Sequence, residues 1–311
     1  MRKLVKDFWP FALFGVVMVV ALVVYPRWQQ EVDRNRDARA DPHHIAGGLY
    51  FVGAPDLAAF LLVGTEGHVL IGSGDQKTAR KIIDSVEHLG FHIRDVKVLL
   101  ATDPHEDEAG GFAELQRASG AQLWASEANA AVIVTGGKDD PSIVYTPYTL
   151  LALAGVTGYP AARVDHIVKD GDTVRAGVLA LTAHITPGHA PGCTTWTFTV
   201  REGDRDLRVV HRCQVGVPYG ASLVEPEHPM GVRDDFERGL RTLRALDVDI
   251  WLTSHGRDYG RFRKYDDSRR SAGAITPFID PKGYAESLDA AEDAFRNLLT
   301  EQQQGSQQKR P

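Results

Sequence analysis

Residues 99–111 read Leu-Leu-Ala-Thr-Asp-Pro-His-Glu-Asp-Glu-Ala-Gly-Gly, and this stretch joins the end of a strand to a cluster of possible metal ligands. Residues 96–101 are apolar apart from Lys97, which is typical of a short buried strand. A helix is predicted to begin near Ala109, with Phe112 and Leu115 on one face. The intervening loop carries four groups that can bind a metal: Asp103, His105, Asp107 and Glu108.

The charge of this loop itself indicates a cation. Residues 103–108 contain four carboxylates, and the three that are candidate ligands, those of Asp103, Asp107 and Glu108, lie close in sequence to a single histidine and would repel one another without a cation. In an extended turn, the odd spacing from Asp103 to Asp107 points these side chains to the same side. The loop therefore predicts a metal site at the carboxyl end of a strand.

Two later stretches supply further candidate ligands. Residues 184–196 read His-Ile-Thr-Pro-Gly-His-Ala-Pro-Gly-Cys-Thr-Thr-Trp, and the two Pro-Gly turns predict a loop that holds His189 at its crest. His255 follows a predicted buried strand at residues 250–253, and Cys213 follows strand-like residues 207–211. Because these residues lie far apart in sequence, only the fold could bring them together.

The first motif resembles a loop of the metallo-β-lactamase superfamily, His-x-His-x-Asp-His-x-Gly-Gly, with two ligands altered. His105 and Asp107 match that loop, whereas Asp103 and Glu108 stand where the family has its first and last histidine. The stretch around His189 closely resembles the family's His-x-Thr-Pro-Gly-His-Thr-Pro-Gly-Ser loop, and His255 stands where the last ligand is expected. Residues 277–284, followed by a predicted helix, resemble the third β-lactamase subclass.

The resemblance implies two metal pockets. The first would consist of Asp103, His105 and His189, and the second of Asp107, Glu108 and His255. Cys213 offers an alternative for the second pocket, because it stands where the third subclass has a serine and the other two subclasses have a cysteine ligand. Asp107, Cys213 and His255 would form a zinc site with one open position, leaving Glu108 to support the ligands.

The substituted ligands also change the expected metal chemistry. The family places one carboxylate against two dications, whereas this loop supplies three candidate carboxylate ligands. More anionic ligands make a metal a poorer Lewis acid, so its water is harder to ionise. We therefore expect one or two Zn²⁺ ions and a weaker hydrolase, or a preference for Mn²⁺ or Fe²⁺.

Plainer interpretations exist for several of these residues. Asp103 precedes Pro104 and could be a turn residue, and Glu108 could favour the amino end of the following helix. Cys193 and Cys213 flank a predicted hairpin and could form a disulfide in an exported domain.

The order of predicted elements indicates the fold class. Strands at residues 48–52, 59–63 and 68–71 precede a helix capped by Asp75, the strand at 96–101 and the predicted metal loop. The second half repeats strands and then helices, the last helix running from Ala285 to Leu299. This order is typical of two packed sheets with helices outside, so we predict an α/β four-layer αββα sandwich, the metallo-β-lactamase fold, over residues 41–300.

The two ends of the chain are predicted to lie outside this domain. Residues 8–25 carry no charge and end in aromatic residues, which predicts a single-pass transmembrane anchor followed by a charged linker to residue 40. Basic residues ahead of the span favour an extracytoplasmic catalytic domain, whereas the arginines after it count against that orientation. A cleaved signal peptide is the competing interpretation. Residues 301–311 are polar and predicted to be disordered.

Composition and resemblance together define the functional hypotheses. The net charge of −6 with mixed signs shows no nucleic-acid footprint, and two cysteines exclude a four-cysteine zinc site. The resemblance implies a membrane-anchored β-lactamase, and hence antibiotic resistance, with Asp107 orienting the nucleophile at the amide carbonyl of a small-molecule β-lactam. A lactone or ester hydrolase is the rival enzyme, and a catalytically weakened binding domain is the non-enzymatic alternative.

Overall fold

The computed structural model describes residues 40–140, 158–218, 220–225, 227–228 and 231–308. The predicted anchor, and all of its linker except Ala40, lie outside the described residues. Within the described ranges, no helix is both long enough and apolar enough to cross a membrane.

Two mixed sheets form the centre of the molecule. The first has seven strands in sequence order, antiparallel from β1 to β4 and parallel from β4 to β7. Its strands are β1 (His43–Ala46), β2 (Leu49–Phe51), β3 (Phe60–Leu62), β4 (His68–Ile71), β5 (Val96–Leu100), β6 (Gln122–Ser126) and β7 (His166–Val168).

The second sheet has five strands in the order β12-β11-β10-β9-β8, antiparallel except for the β11–β12 pair. Its strands are β8 (Thr173–Ala176), β9 (Leu179–Ile185), β10 (Thr194–Glu202), β11 (Arg205–Arg212) and β12 (Ile250–Thr253).

Helices pack outside both sheets. They are α1 (Gln76–His88), α2 (Glu106–Ala109), α3 (Phe112–Ser119), α4 (Glu127–Ile133), α5 (Arg233–Arg244), α6 (Arg261–Arg270) and α7 (Pro281–Gln308). One apolar core lies between the sheets and includes Trp196 and Phe60, while another packs Ile82 and Leu115 against the outer face of the first sheet. The predicted four-layer αββα sandwich is confirmed.

Most elements follow from local sequence. Asp75 accepts a hydrogen bond from the Thr78 backbone N–H at 2.7 Å and so caps α1 as predicted. Strand β12 has the predicted bounds. Strand β1 and helix α6 were not predicted, because β1 has only four residues and α6 has little apolar periodicity.

The last helix is longer than its sequence predicts. We expected it to end at Leu299 and residues 301–311 to be disordered, but α7 continues to Gln308. The Gln302 side chain explains part of this extension, because it donates to Ala221 O at 2.9 Å and accepts from Leu223 N at 2.7 Å. The polar composition of the tail reflects exposure of the last two turns rather than an absence of helix.

Candidate metal centre

The backbone carbonyls at the start of the loop after β5 accept hydrogen bonds from the second sheet and from α4. The carbonyl of Thr102 accepts from Thr194 N at 2.8 Å and from Asn129 Nδ2 at 3.0 Å. The indole N–H of Trp196, a fully buried residue of β10, donates to Ala101 O at 3.1 Å. The sheets are therefore joined where the predicted ligands begin.

The loop differs in one respect from its predicted shape. Residues 103–107 are not one extended turn, because α2 begins at Glu106 and places Asp107 and Glu108 in a helical turn. Asp103 and His105 remain before the helix, and the Asp103 carboxylate accepts a hydrogen bond from His105 N at 3.0 Å. The turn separates the loop into two groups of side chains.

The first group is the predicted first metal pocket. His105 Nδ1 lies 3.3 Å from Asp103 Oδ1, and His189 Nε2 lies 4.0 Å from Asp103 Oδ2. One ligand atom from each of Asp103, His105 and His189 falls within 4.8 Å of the others. The structure therefore brings together the three residues predicted for this pocket. Asp103 and His105 are close in sequence, whereas His189 comes from a loop of the second sheet.

The geometry of the loop from residue 186 to residue 193 orients His189. Its Nδ1 lies 2.8 Å from the carbonyl oxygen of Gly216, so the Nε2 atom is left to face Asp103. Gly188 has a φ of +140°, and a Cβ there would lie 2.9 Å from the Cα of Phe236 in α5. This glycine is needed both for its backbone conformation and for close packing of the loop against α5.

The second group surrounds His255, at the end of β12. His255 Nε2 lies 3.6 Å from Asp107 Oδ2 and 3.9 Å from Glu108 Oε1. On the other side of the ring, Nδ1 lies 3.5 Å from Asp56 Oδ2. Asp56 was not predicted, but a carboxylate on the second nitrogen fixes the orientation of a ligating histidine.

Glu108 is the most constrained of these carboxyl groups. It is 3 % exposed, and its Oε2 accepts from Thr102 Oγ1 at 2.9 Å. The other oxygen, Oε1, has no hydrogen-bond partner among the described residues. Burial, together with the charge of Asp103, raises the pKa of Glu108 to about 8.

The histidines respond to the same excess of negative charge. Burial disfavours protonation of His105, but the charges of Asp103 and Asp140 outweigh it and raise the pKa of His105 to about 10. In the same way the pKa of His255 rises to about 9, because burial is outweighed by Asp56 and Glu108. These donors therefore fit a divalent cation. Their oxygen and imidazole nitrogen atoms converge, and a cation would take the place of the protons that His105 and His255 carry without it.

Cys213 is not available as a metal ligand in this structure. Cys193 and Cys213 form a disulfide across the open end of the β10–β11 hairpin, so Cys213 has no thiolate. The prediction of Asp107, Cys213 and His255 as a zinc site is wrong for the oxidised protein, although the Cys213 sulfur lies 3.8 Å from Asp103 Oδ2. The disulfide that the sequence left as an alternative is present.

Asp140 is a site residue that sequence reasoning missed. It is 4 % exposed, and its Oδ2 lies 3.6 Å from His105 Nε2, opposite the nitrogen that faces Asp103. It lies outside all the motifs described above, so no local pattern could have revealed it. Tyr159 donates to the Pro104 carbonyl and braces the same loop.

Comparisons with known proteins agree with this fold. A model of the metallo-beta-lactamase superfamily matches residues 56–201. A probable metallo-hydrolase of Burkholderia pseudomallei is 28% identical over 138 residues, which cover 44% of this chain and 42% of the relative. The chain thus aligns with about two fifths of the length of this curated relative.

Solved structures match over much more of the chain. The native FEZ-1 metallo-beta-lactamase of Legionella gormanii is 32% identical with a TM-score of 0.78, covering 85% of this chain and 97% of that one. A Cronobacter sakazakii metallo-beta-lactamase described by a HARLDQ motif is 31% identical, with a TM-score of 0.76 and coverages of 85% and 99%. LRA-12, a class B3 di-zinc enzyme from an Alaskan soil metagenome, is 28% identical, with a TM-score of 0.76 and coverages of 85% and 96%.

The two sheets and the clustered histidines and carboxylates define a metallo-hydrolase. The chain belongs to the metallo-beta-lactamase superfamily, and its solved relatives include subclass B3 enzymes. The resemblance drawn from the sequence is thereby confirmed. Metal ligation itself stays a prediction for Asp103, His105, His189, Asp107, Glu108 and His255, which the structure brings together in two adjacent groups.

Proposed function

We propose that this protein is a metal-dependent hydrolase that opens the amide of a β-lactam. The observation that carries the proposal is the pair of neighbouring donor groups, Asp103–His105–His189 and Asp107–Glu108–His255, at the junction of the two sheets. Two adjacent cation sites can activate water and stabilise the developing oxyanion of a hydrolytic reaction. The LRA-12 relative is described as a di-zinc enzyme, which supports zinc as the metal.

When bound, a divalent cation supplies Lewis acidity to the reaction. The protein side chains position the other participants. Asp107 is the most exposed carboxylate of the second group, with 26% of its side chain accessible, so it can accept a hydrogen bond from the attacking water and orient it. Asp56 and the Gly216 carbonyl hold the rings of His255 and His189 in place.

A cavity of about 290 Å³ beside the first group offers room for a substrate. His105 and His189 form one side of it, and its floor is mainly apolar, with Pro104, Val132 and Pro191 among the lining residues. A small apolar pocket next to a cluster of polar groups is typical of a small-molecule site. It would hold the side chain of a β-lactam while the ring faces the donor groups.

The altered donor set predicts a slow enzyme. Three carboxylates in place of one reduce the net positive charge of the loaded site, which makes water harder to ionise and favours harder metals such as Mn²⁺ or Fe²⁺. The Cronobacter relative supports the idea that the loop tolerates change, since its HARLDQ motif also departs from the histidine pattern at two positions. A relative that is described as a metallo-beta-lactamase therefore also has an altered loop.

The test combines metal analysis with a substrate panel. Protein purified without added metal should contain less than two tightly held Zn²⁺, and hydrolysis of the cephalosporin nitrocefin should be measurable but slow. The double substitution Asp103→His and Glu108→His should increase nitrocefin turnover by roughly tenfold or more, because it removes two anionic ligands. The double substitution Glu66→His and Asp204→His, at exposed positions away from this cavity, is the matched control and should leave turnover unchanged.

The other outcomes distinguish the rival functions. Hydrolysis of lactones without hydrolysis of β-lactams would replace the proposed substrate but keep the metallo-hydrolase. Two tightly bound Zn²⁺ ions with rapid β-lactam turnover would contradict the charge argument. If the double substitution improved neither metal binding nor hydrolysis, a binding domain without catalysis would be the better description.

A further inference from the structure

A second cavity lies beneath the last helix, outside the group of candidate metal ligands. Its volume is about 660 Å³, within the range of small-molecule sites. It is lined by the segment that follows β11, by one side of α7 and by two arginines; the principal residues are Arg212, Arg257, Val215, Val217, Ala291 and Phe295. None of the six clustered candidate ligands lines it.

Arg212 is a buried cation with few partners. It is the last residue of β11 and only 4 % exposed, and the one hydrogen bond of its side chain within the described ranges runs from Nη1 to the Cys213 carbonyl at 3.4 Å. Its guanidinium carbon lies 5.3 Å from the centre of the Trp251 ring. The Nε atom has no hydrogen-bond partner in the described part of the chain. A guanidinium has five N–H donors, so most of its capacity is unused.

The nearby carboxylates are already engaged elsewhere. Asp258 lies 3.6 Å from Arg257 Nε, and Asp56 also pairs with the Arg257 guanidinium. Among the described residues, no carboxylate forms an ion pair with Arg212; burial lowers its pKa, and the charge of Asp258, which also lines the cavity, opposes this effect only in part. A buried charge without an ion-pair partner is energetically costly, so an anion bound beside Arg212 would lower the free energy of the protein.

The cavity lining also includes a large apolar part beside the polar residues Gln214, Asp258 and Ser287. Phe295 is buried, and Val215, Val217 and Leu298 add hydrocarbon surface. An inorganic anion would satisfy Arg212 but would leave this surface in contact with water. An occupant with both a carboxylate and a hydrocarbon chain would satisfy both, since a guanidinium binds carboxylates with two parallel hydrogen bonds.

We propose that this cavity is a second binding site, which takes an amphiphilic carboxylate with its head group on Arg212 and its hydrocarbon chain along α7. The site is separate from the hydrolytic centre. Arg212 and His211 are consecutive strand residues and so point to opposite faces of the sheet, and His211 contacts Phe60 in the core between the sheets. The proposal therefore does not depend on β-lactam hydrolysis.

Calorimetric titration of the full chain with sodium octanoate tests this site. Octanoate should bind, 1-octanol should bind at least tenfold more weakly, and Arg212→Gln should weaken octanoate binding roughly tenfold or more. Arg257→Gln is the matched control: it removes the same charge from the same cavity, but Arg257 already has two carboxylate partners, so its effect should be smaller.

A second variant tests the cavity independently, in case Arg212→Gln does not fold. Ala291→Trp fills the cavity from α7 while leaving Arg212 in place, and it should abolish octanoate binding with the thermal midpoint little changed. Absence of octanoate binding to the unsubstituted chain would overturn the proposal. Equal binding of octanoate and octanol, or equal losses for the two arginine substitutions, would also overturn it.

Discussion

Asp103 shows how a carboxylate can stand where a histidine is usual in this family. It is 1 % exposed and faces both His105 and His189, and the charges of those rings, which outweigh the effect of burial, lower its pKa to about 2. The carboxylate is therefore ionised in the presence of its two neighbours. An ionised oxygen donor between two imidazoles is chemically suited to a divalent cation, which would replace the proton that His105 otherwise carries.

Asp140 gives the residue-scale prediction. Its carboxylate lies 3.6 Å from His105 Nε2, so it fixes the position of that ring and adds negative charge beside the first donor group. Asp140→Asn should weaken zinc binding by about 10- to 100-fold, because partners of a ligating histidine commonly have effects of this size. Competition with a chromophoric chelator measures the affinity.

Asp139→Asn is the control for this prediction. It removes the same formal charge one position away, but Asp139 is exposed whereas Asp140 is buried. The control should therefore change zinc affinity only slightly. Equal losses in the two variants would show that Asp140 acts through overall charge and not through its contact with His105.

At the scale of elements, the β10–β11 hairpin controls the site from the second sheet. Residues 186–193 precede β10 and carry His189, while the segment after β11 supplies the Gly216 carbonyl that orients it. The Cys193–Cys213 disulfide joins these two segments next to Asp103. The hairpin, its disulfide and the first donor group therefore behave as one structural unit.

The disulfide yields a stability prediction. The bond closes a loop with a sequence separation of 20 residues. Replacing both cysteines by serine should lower the free energy of unfolding by about 3 kcal/mol, chiefly because the unfolded chain regains loop entropy. Urea unfolding followed by far-ultraviolet circular dichroism measures this difference.

Reductant provides the control for the disulfide prediction. Unfolding in the presence of dithiothreitol should lower the stability of the unsubstituted protein by a similar amount and should not affect the double serine variant. If the variant were as stable as the unsubstituted protein, the hairpin would be held by its hydrogen bonds and the buried Trp196 alone.

For the whole molecule, the two sheets place ligands from distant parts of the chain at one junction. The candidate ligands lie in the segments that follow β5, β9 and β12, namely residues 103–108, His189 and His255. The Trp196–Ala101 and Thr194–Thr102 hydrogen bonds join the sheets beside the first of these segments. Convergence of the site is therefore a consequence of the packing of the two sheets.

We propose at this scale that residues 8–25 anchor the enzyme and that its catalytic domain lies outside the cytoplasm. A disulfide favours an oxidising compartment, and the uncharged N-terminal run has the length of a membrane span. After cell fractionation, the full chain should remain with the membranes in high salt, and a variant lacking residues 1–40 should be released. If expression of the full sequence gave a shortened protein that is released from the membranes, residues 8–25 would instead belong to a cleaved signal peptide.

The sequence by itself determined the class of fold and most of the site. The apolar strand before Asp103, the Pro-Gly turns around His189 and the strand before His255 are local patterns, and each is present in the structure. The family resemblance, and not these patterns alone, implied that their side chains would meet, and six of the seven predicted ligands lie in two adjacent groups.

Only the tertiary structure decided the state of Cys213, the partners Asp56 and Asp140, and the extent of α7. Each of these depends on a contact between residues distant in sequence. Cys213 is bonded to Cys193, Asp56 contacts His255, and Asp140 contacts His105. The end of α7 is held by hydrogen bonds between Gln302 and residues 221–223. Local patterns record how a segment can fold, but a disulfide, an ion pair or a docked helix end depends on which surfaces the packed sheets bring together.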